Sequence, residues 1–214
     1  MNSMNREYEL LHKFFNSLSR VSFPYDESNI EYSNGIYIMF EEGEAHDGYD
    51  RITRVGTHKG VNQLRGRLKE HYINPNKNRS IFRKNIGRCL LKQEEHPYMC
   101  SWELDSSKPD IRTQNSSELD FAFEQLLEKQ ITSYIQRETS FVTIQVDHKE
   151  TRMWLEAKLI ATIAQGGENI ERPNWLGNDS PKPKIRKYGL WQEQHVQRAS
   201  FDLKATEAVI RKFS

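Results

Sequence analysis

Glu156 is the residue whose position most needs explaining. Met153, Glu156, Ile160 and Ile163 fall at i, i+3, i+7 and i+10, which places an acid within the apolar stripe of a predicted helix. An ionised carboxylate there must be paired, metal-bound or open to a cleft, because burying it alone is too costly. A boundary glutamate on a wide apolar face, paired with Arg67 or a lysine, satisfies the same pattern. Tyr37 sits third in the run GIYIMF (35–40). It reads either as a strand tyrosine filling the core or as a phenol in a cleft, where a nearby cation could make it a proton acceptor. Arg67 and His71 are i and i+4 neighbours in NQLRGRLKEHY (62–72), so they project together. Arg67 alone is an ordinary surface arginine; with His71 it could clamp a phosphate and stabilise developing charge. No HExxH, P-loop, GxSxG or CxxC motif offers a competing chemistry.

These residues need particular elements to hold them. Residues 35–40 read as a buried strand, 41–50 as a loop or hairpin connection and 51–56 as the return strand. After a turn at 57–60, Val61, Leu64, Leu68 and Tyr72 form one stripe of a helix. Residues 73–88 are part loop and part helix. The alternation in PYMCSWELD (97–105) predicts a strand, and 106–117 a loop. Asn115 with Glu118 has capping-box spacing for a helix over 118–136, 141–146 is a strand, and Asp147 with Glu150 opens the helix that carries Glu156. Gly166 and Gly167 end that helix. An amphipathic helix over 7–19, a linker over 23–33, a Pro- and Gly-punctuated tail and a short helix over 203–213 complete the chain.

Composition narrows the classes. With 214 residues, 36% hydrophobic and 11% aromatic, the chain can bury a core. No run approaches the roughly 18–20 apolar residues a bilayer requires, and the first residues do not read as a signal peptide. Cys89 and Cys100 alone allow neither a disulfide framework nor a tetrathiolate site, so a cytoplasmic location is expected. The formal net charge of +1 conceals an uneven distribution: 51–88 holds eleven Lys and Arg against the single acid Glu70, while 41–50 holds five acids and no base. Such a run is either a solvated surface or a partner for a polyanion. Arg54, Lys59, Arg65, Arg83 and Lys84 are its candidate phosphate or DNA contacts.

Gly35, Ile36 and Tyr37, followed by Val55 and Gly56, resemble the GIY-YIG nuclease family. The second motif reads Arg54-Val55-Gly56, so an arginine stands in the tyrosine slot. The helix over 62–72 is similar to the family's next element and carries its arginine onto Arg67 and its histidine onto His71. WLEAKLIATI (154–163) is similar to the family's glutamate helix, which makes Glu156 the metal ligand. The late asparagine is best matched by Asn174, ahead of Asn169 and Asn178. The similar segments are 35–72 and 151–178. The resemblance implies an α/β (α+β) fold, a small and mainly antiparallel three-stranded sheet flanked by helices. It divides the chain into an extension over 1–33, a nuclease-like domain over 34–180 with an insertion at about 73–150, and an extension over 181–214. It implies a metal-dependent DNA endonuclease using one Mg²⁺ or Mn²⁺ and no organic cofactor. There Tyr37 takes the proton of the attacking water, and Arg67 and His71 hold the phosphate. The alternative is an inactive nucleic-acid-binding module on the same scaffold.

Overall fold

A computed structural model describes residues 3–214. Its centre is the strand β2 (Gly35–His46), which turns through Asp47 and Gly48 into β3 (Tyr49–Gly56). Both turn residues have positive φ, 50° and 81°, the geometry that suits a tight hairpin. The acidic stretch 41–50 therefore takes the hairpin form of its two expected alternatives, supplying the arms and turn of one long hairpin. On its other side β2 pairs antiparallel with β4 (Thr139–Gln145), Gly35 opposite Gln145 and Glu41 opposite Thr139. A two-residue strand β1 (Val21–Ser22) pairs with β4, giving a four-stranded order β1-β4-β2-β3, one strand more than expected. Gly35 is needed where β2 meets β4: a Cβ there would lie 2.3 Å from the Ile144 carbonyl oxygen.

Because β2 is central, both its faces are buried and its residues form a continuous apolar run. Ile36, Ile38 and Phe40 face one core with Val142 and Ile144. That core is closed by α1 (Ser3–Asn16), α7 (Lys149–Gly166) and α9 (Leu203–Phe213) through Leu11, Phe15, Leu155, Leu159, Ile163 and Val209. The segments 1–33 and 181–214, read from the sequence as extensions, thus supply two of its three helices. Tyr37, Met39 and Phe141 face the second core, with α2 (Leu64–Tyr72), α3 (Ile81–Gln93) and α6 (Phe121–Glu138) and the indoles of Trp102, Trp175 and Trp191. The free edge of β3 is covered. His12 Nε2 accepts the Ile52 N–H at 3.0 Å while its Nδ1–H donates to Tyr8 O at 2.9 Å, Trp191 N–H donates to Thr53 O at 2.9 Å, and Gln192 Oε1 accepts the Val55 N–H at 3.2 Å.

The middle of the chain departs most from expectation. Residues 97–105 form a short helix, α4 (Met99–Trp102), not a strand. Tyr98 and Trp102, four apart, are both buried on one side of it, a spacing that strand alternation also satisfies. The expected loop after it contains α5 (Pro109–Gln114), with proline at the helix start. Asn115 ends α5 instead of capping the next helix; Asp120 caps α6 by accepting the Phe123 N–H at 2.9 Å. Asp147 accepts from Gln145 Nε2, and His148 is the residue that precedes α7. Val61 lies outside α2 and is exposed. The tail gains a 3₁₀ turn at Leu176–Asp179 and α8 (Pro183–Tyr188). No helix among the described residues is long and apolar enough to cross a membrane.

Candidate active site

The last pair of the β2–β3 ladder is Tyr37 opposite Gly56. The hydroxyl end of the phenol packs directly against that glycine, since a Cβ on Gly56 would meet Tyr37 Oη at 2.2 Å and Cζ at 2.4 Å. This close approach explains why a tyrosine on one strand requires a glycine on the other. Side chains from the turn after β3 fasten the start of β2. Thr57 Oγ1 donates to Gly35 O at 2.7 Å, and His58 Nε2 accepts the Gly35 N–H at 3.3 Å while its Nδ1–H donates to Gly60 O at 2.9 Å.

Tyr37 is fully buried and its hydroxyl is 2.8 Å from His71 Nε2. His71, also fully buried, places its Nδ1 2.7 Å from Ser80 Oγ, and Ser80 caps α3 by accepting the Arg83 N–H. Burial pushes His71 well below the ordinary imidazole value, and the charges of Arg67, Arg54 and Arg83 act in the same direction. The ring is therefore neutral, with one donor and one acceptor nitrogen. Either Tyr37 donates to Nε2 and Nδ1–H donates to Ser80, or both bonds run in reverse. In neither arrangement does His71 reach solvent: the structure directs its two nitrogens to Tyr37 and Ser80, away from the groove where Arg67 lies and where a phosphate was expected beside it. Seen from α2, Leu64, Leu68, His71 and Tyr72 share the buried side, and His71 sits between aromatic neighbours Tyr37 and Phe82.

Arg67 occupies the rim. One arm donates to Arg79 O at 2.8 Å, and the side chain lines a groove of about 680 Å³ together with Thr57, His58, Lys59, Glu70 and Arg79. Glu156, on the first half of α7, is half-buried. Desolvation pushes its carboxyl above the ordinary carboxylate range, against the charge of Arg54, a hydrogen bond from the Thr57 N–H and the charges of Arg67 and Arg152. Tyr37, Arg67, His71 and Glu156 thus converge on the turn after β3 from three different elements, β2, α2 and α7. Asn174 does not visibly join them: it is exposed, and among the described residues no hydrogen bond links it to any of the four.

The basic stretch is largely internal. Arg83 is fully buried and donates to Glu128 (2.6 Å), Thr132 and the His71 carbonyl. Lys84 donates to Glu103 O at 2.7 Å and pairs with the Glu103 carboxylate. Arg88 pairs with Glu103, Lys77 with Glu124, and Arg51 with Glu44. Arg65 donates twice to Ile30 O and pins the linker. Arg83 and Lys84 are therefore corrected from phosphate contacts to internal ion-pair partners, while Lys59 remains on the groove.

Among the described residues no group of three His, Cys, Asp or Glu side chains is placed to hold a metal ion. Glu156 supplies one hard oxygen ligand amid positive charge. That set fits only an oxygen-preferring cation that keeps most of its water and completes its shell with a substrate phosphate. The sequence reading missed Ser80, whose signal was a serine three residues before Arg83 at a helix start. It also missed Trp191, whose carbonyl accepts from Arg54 Nη1 at 2.8 Å and from Asn85 Nδ2 at 3.4 Å; no local pattern marks a backbone oxygen. A family model described as GIY-YIG domain matches residues 1–212. Neither the curated proteins nor the solved structures contain a match.

Proposed function

Since the chain belongs to the GIY-YIG family, typically nucleases that use a divalent metal, we propose that it is a DNA endonuclease hydrolysing phosphodiester bonds with one divalent cation, Mg²⁺ or Mn²⁺, at Glu156. The observation that supports this reading best is the hydrogen bond between Tyr37 and the neutral, buried His71. A protonated phenol can take a proton from water only if its own proton has somewhere to go. With its proton directed at His71 Nε2, its oxygen keeps lone pairs to accept a proton from an attacking water, while its own passes to His71. In this arrangement Nδ1–H donates to Ser80 Oγ, the first of the two directions that the geometry allows. Arg67 binds the phosphate across the groove and stabilises the charge of the transition state. When bound at Glu156, the cation supplies Lewis-acid stabilisation of the leaving oxygen. Lys59 and Arg79 extend the positive rim along which the DNA backbone lies.

Because the Tyr37 hydroxyl is sealed from solvent, the reading requires side chains at the groove floor to move when substrate arrives. The same sealing, with Arg54 in the second motif, favours a second reading, a DNA-binding module that does not cut. Supercoiled plasmid incubated with Mg²⁺ or Mn²⁺ separates the two. Nicking by wild type, lost in Tyr37→Phe and Glu156→Ala at retained melting temperature, supports the nuclease. Metal-independent binding with intact plasmid across several DNA forms rejects it in favour of the module.

A further inference from the structure

Buried arginines in this protein are matched to partners, with one exception. Arg51, Arg83 and Arg88 each face a carboxylate. Arg152, which has none, donates to the carbonyls of His58, Gly60, Val146 and Asp147. Arg54 is only 5% exposed, yet among the described residues it has no carboxylate within ion-pair distance and a single hydrogen bond, from Nη1 to Trp191 O. Its Nε–H is buried with no partner.

The position is built rather than accidental. A register shift between Met39 and Phe40 sets Arg54 opposite Met39 and Ile52 opposite Phe40, leaving Thr53 as the extra residue of a bulge. Arg54 thereby projects from the face that carries Tyr37. Thr53 O receives the Trp191 N–H and Arg54 holds the Trp191 carbonyl, so both backbone groups of Trp191 lock the bulge. The guanidinium centre lies 5.2 Å from the Phe82 ring centroid. One of its five N–H donors, on Nη1, is used; among those left, Nε–H and Nη2–H are the adjacent pair whose parallel geometry fits two oxygens of one phosphate. A buried guanidinium with an unfilled fork is a costly arrangement, and a cost retained beside Glu156 and Tyr37 points to a ligand.

We propose that Arg54 is a substrate-binding residue whose Nε/Nη2 fork takes a phosphate of the nucleic acid next to the one held by Arg67. This rests on the nucleic-acid reading of the site and deepens it. An arginine cannot carry the proton that a tyrosine in this slot could exchange, so proton handling falls to Tyr37 and His71 alone.

The test compares Arg54→Met and Arg54→Lys with wild type in three measurements: melting temperature, duplex DNA binding in EDTA across a salt series, and single-turnover plasmid cleavage with Mg²⁺. Arg54→Met gives up the bond to Trp191 O and the charge beside Glu156, so its melting temperature should fall by a few degrees at most, and the DNA-binding slope decides between a ligand and a purely structural arginine. Its plot of log affinity against log salt should flatten by about 0.9, the increment for one phosphate contact. Arg54→Lys should keep the slope, having the charge without the fork, and cleave at least about a hundredfold more slowly. An unchanged slope in Arg54→Met, or a lower melting temperature with unaltered binding, overturns the proposal even where wild type cuts DNA. If wild type never cuts but Arg54→Met flattens the slope, Arg54 stands as a phosphate ligand and the nuclease reading falls.

Discussion

Gly56→Ala is the sharpest perturbation of the site, because it adds one methyl group against the candidate base. The new Cβ would sit 2.2 Å from Tyr37 Oη, 2.4 Å from Cζ and 2.9 Å from Cε2. The phenol cannot simply withdraw, since it is hydrogen-bonded to His71 at 2.8 Å and His71 to Ser80 at 2.7 Å. Either the ring swings away and leaves a buried imidazole nitrogen without a partner, or β3 shifts. Overpacking costs about 1–3 kcal/mol and an orphaned buried polar group about 1–3 kcal/mol. A central total of about 4 kcal/mol corresponds to a fall of roughly 8–16 °C in melting temperature for a domain of this size. Cleavage by the folded fraction should drop at least about a hundredfold, the contribution of a positioned base. Adding Tyr37→Phe leaves the clash with Cζ in place and should restore nothing. Adding Tyr37→Leu removes the ring, so Gly56→Ala should cost less stability in that background, with cleavage still absent. Thermal melts and plasmid cleavage on the four variants complete the cycle. A Gly56→Ala protein that melts within a degree of wild type and cuts normally would refute the packing argument and the Tyr37 role together.

Four further outcomes follow from the same geometry. Glu128→Ala strands the fully buried Arg83 and should destabilise by about 3–5 kcal/mol in urea unfolding. The double change Lys59→Ala and Arg79→Ala on the groove rim should leave stability within about 0.5 kcal/mol while lowering the DNA salt slope by up to about two units; lost stability with an unchanged slope would make the rim structural and remove it from the DNA path. Burial pushes the Glu41 carboxyl up, opposed by donors from Tyr134, Trp191 and Trp175 and by Arg51. A folded value above the unfolded one means that the stabilisation is present below the unfolded pKa and is lost as pH rises through the folded one. Glu41→Gln should therefore gain on wild type in urea melts at pH 8 and lose that advantage in acid, and an advantage confined to acid would reverse the sign. Finally, Glu156 shares its surroundings with the charges of Arg54, Arg67 and Arg152, which disfavour a cation until an anion neutralises them. Calorimetry should show saturable Mg²⁺ binding only with DNA present and not in Glu156→Gln; tight binding to the DNA-free protein would contradict this.

What could be read in advance follows the reach of each signal. The β2–β3 hairpin, β4, α7 and α9 carry strong periodicity and end signals, and their positions are close to expectation. Residues 97–105 misled because Tyr98, Cys100 and Trp102 alternate, whereas burial at Tyr98 and Trp102 serves a helix of one turn. The basic stretch misled for a different reason. Its charges were counted against sequence neighbours, but the acids that neutralise Lys77, Arg83, Lys84 and Arg88 are Glu124, Glu128 and Glu103, all from the segment between α3 and β4. Electrostatic bookkeeping along a chain fails wherever folding brings in distant counter-charges.

His71 shows where the site itself was legible and was passed over. The i, i+4 relation of Arg67 and His71 is correct, but it says only that they are neighbours on α2, not which way each faces. Leu64, Leu68 and Tyr72 are buried, and position 71 lies three after 68 and seven after 64, inside the same stripe. A histidine in the middle of an apolar stripe must be neutral and must find partners for both nitrogens. In a chain whose neighbouring strand presents Tyr37 and whose next helix begins with Ser80, those partners are the phenol and the capping hydroxyl. The pattern that places His71 in the core thus turns its two nitrogens to Tyr37 and Ser80, leaving Arg67 at the edge of the stripe and on the groove.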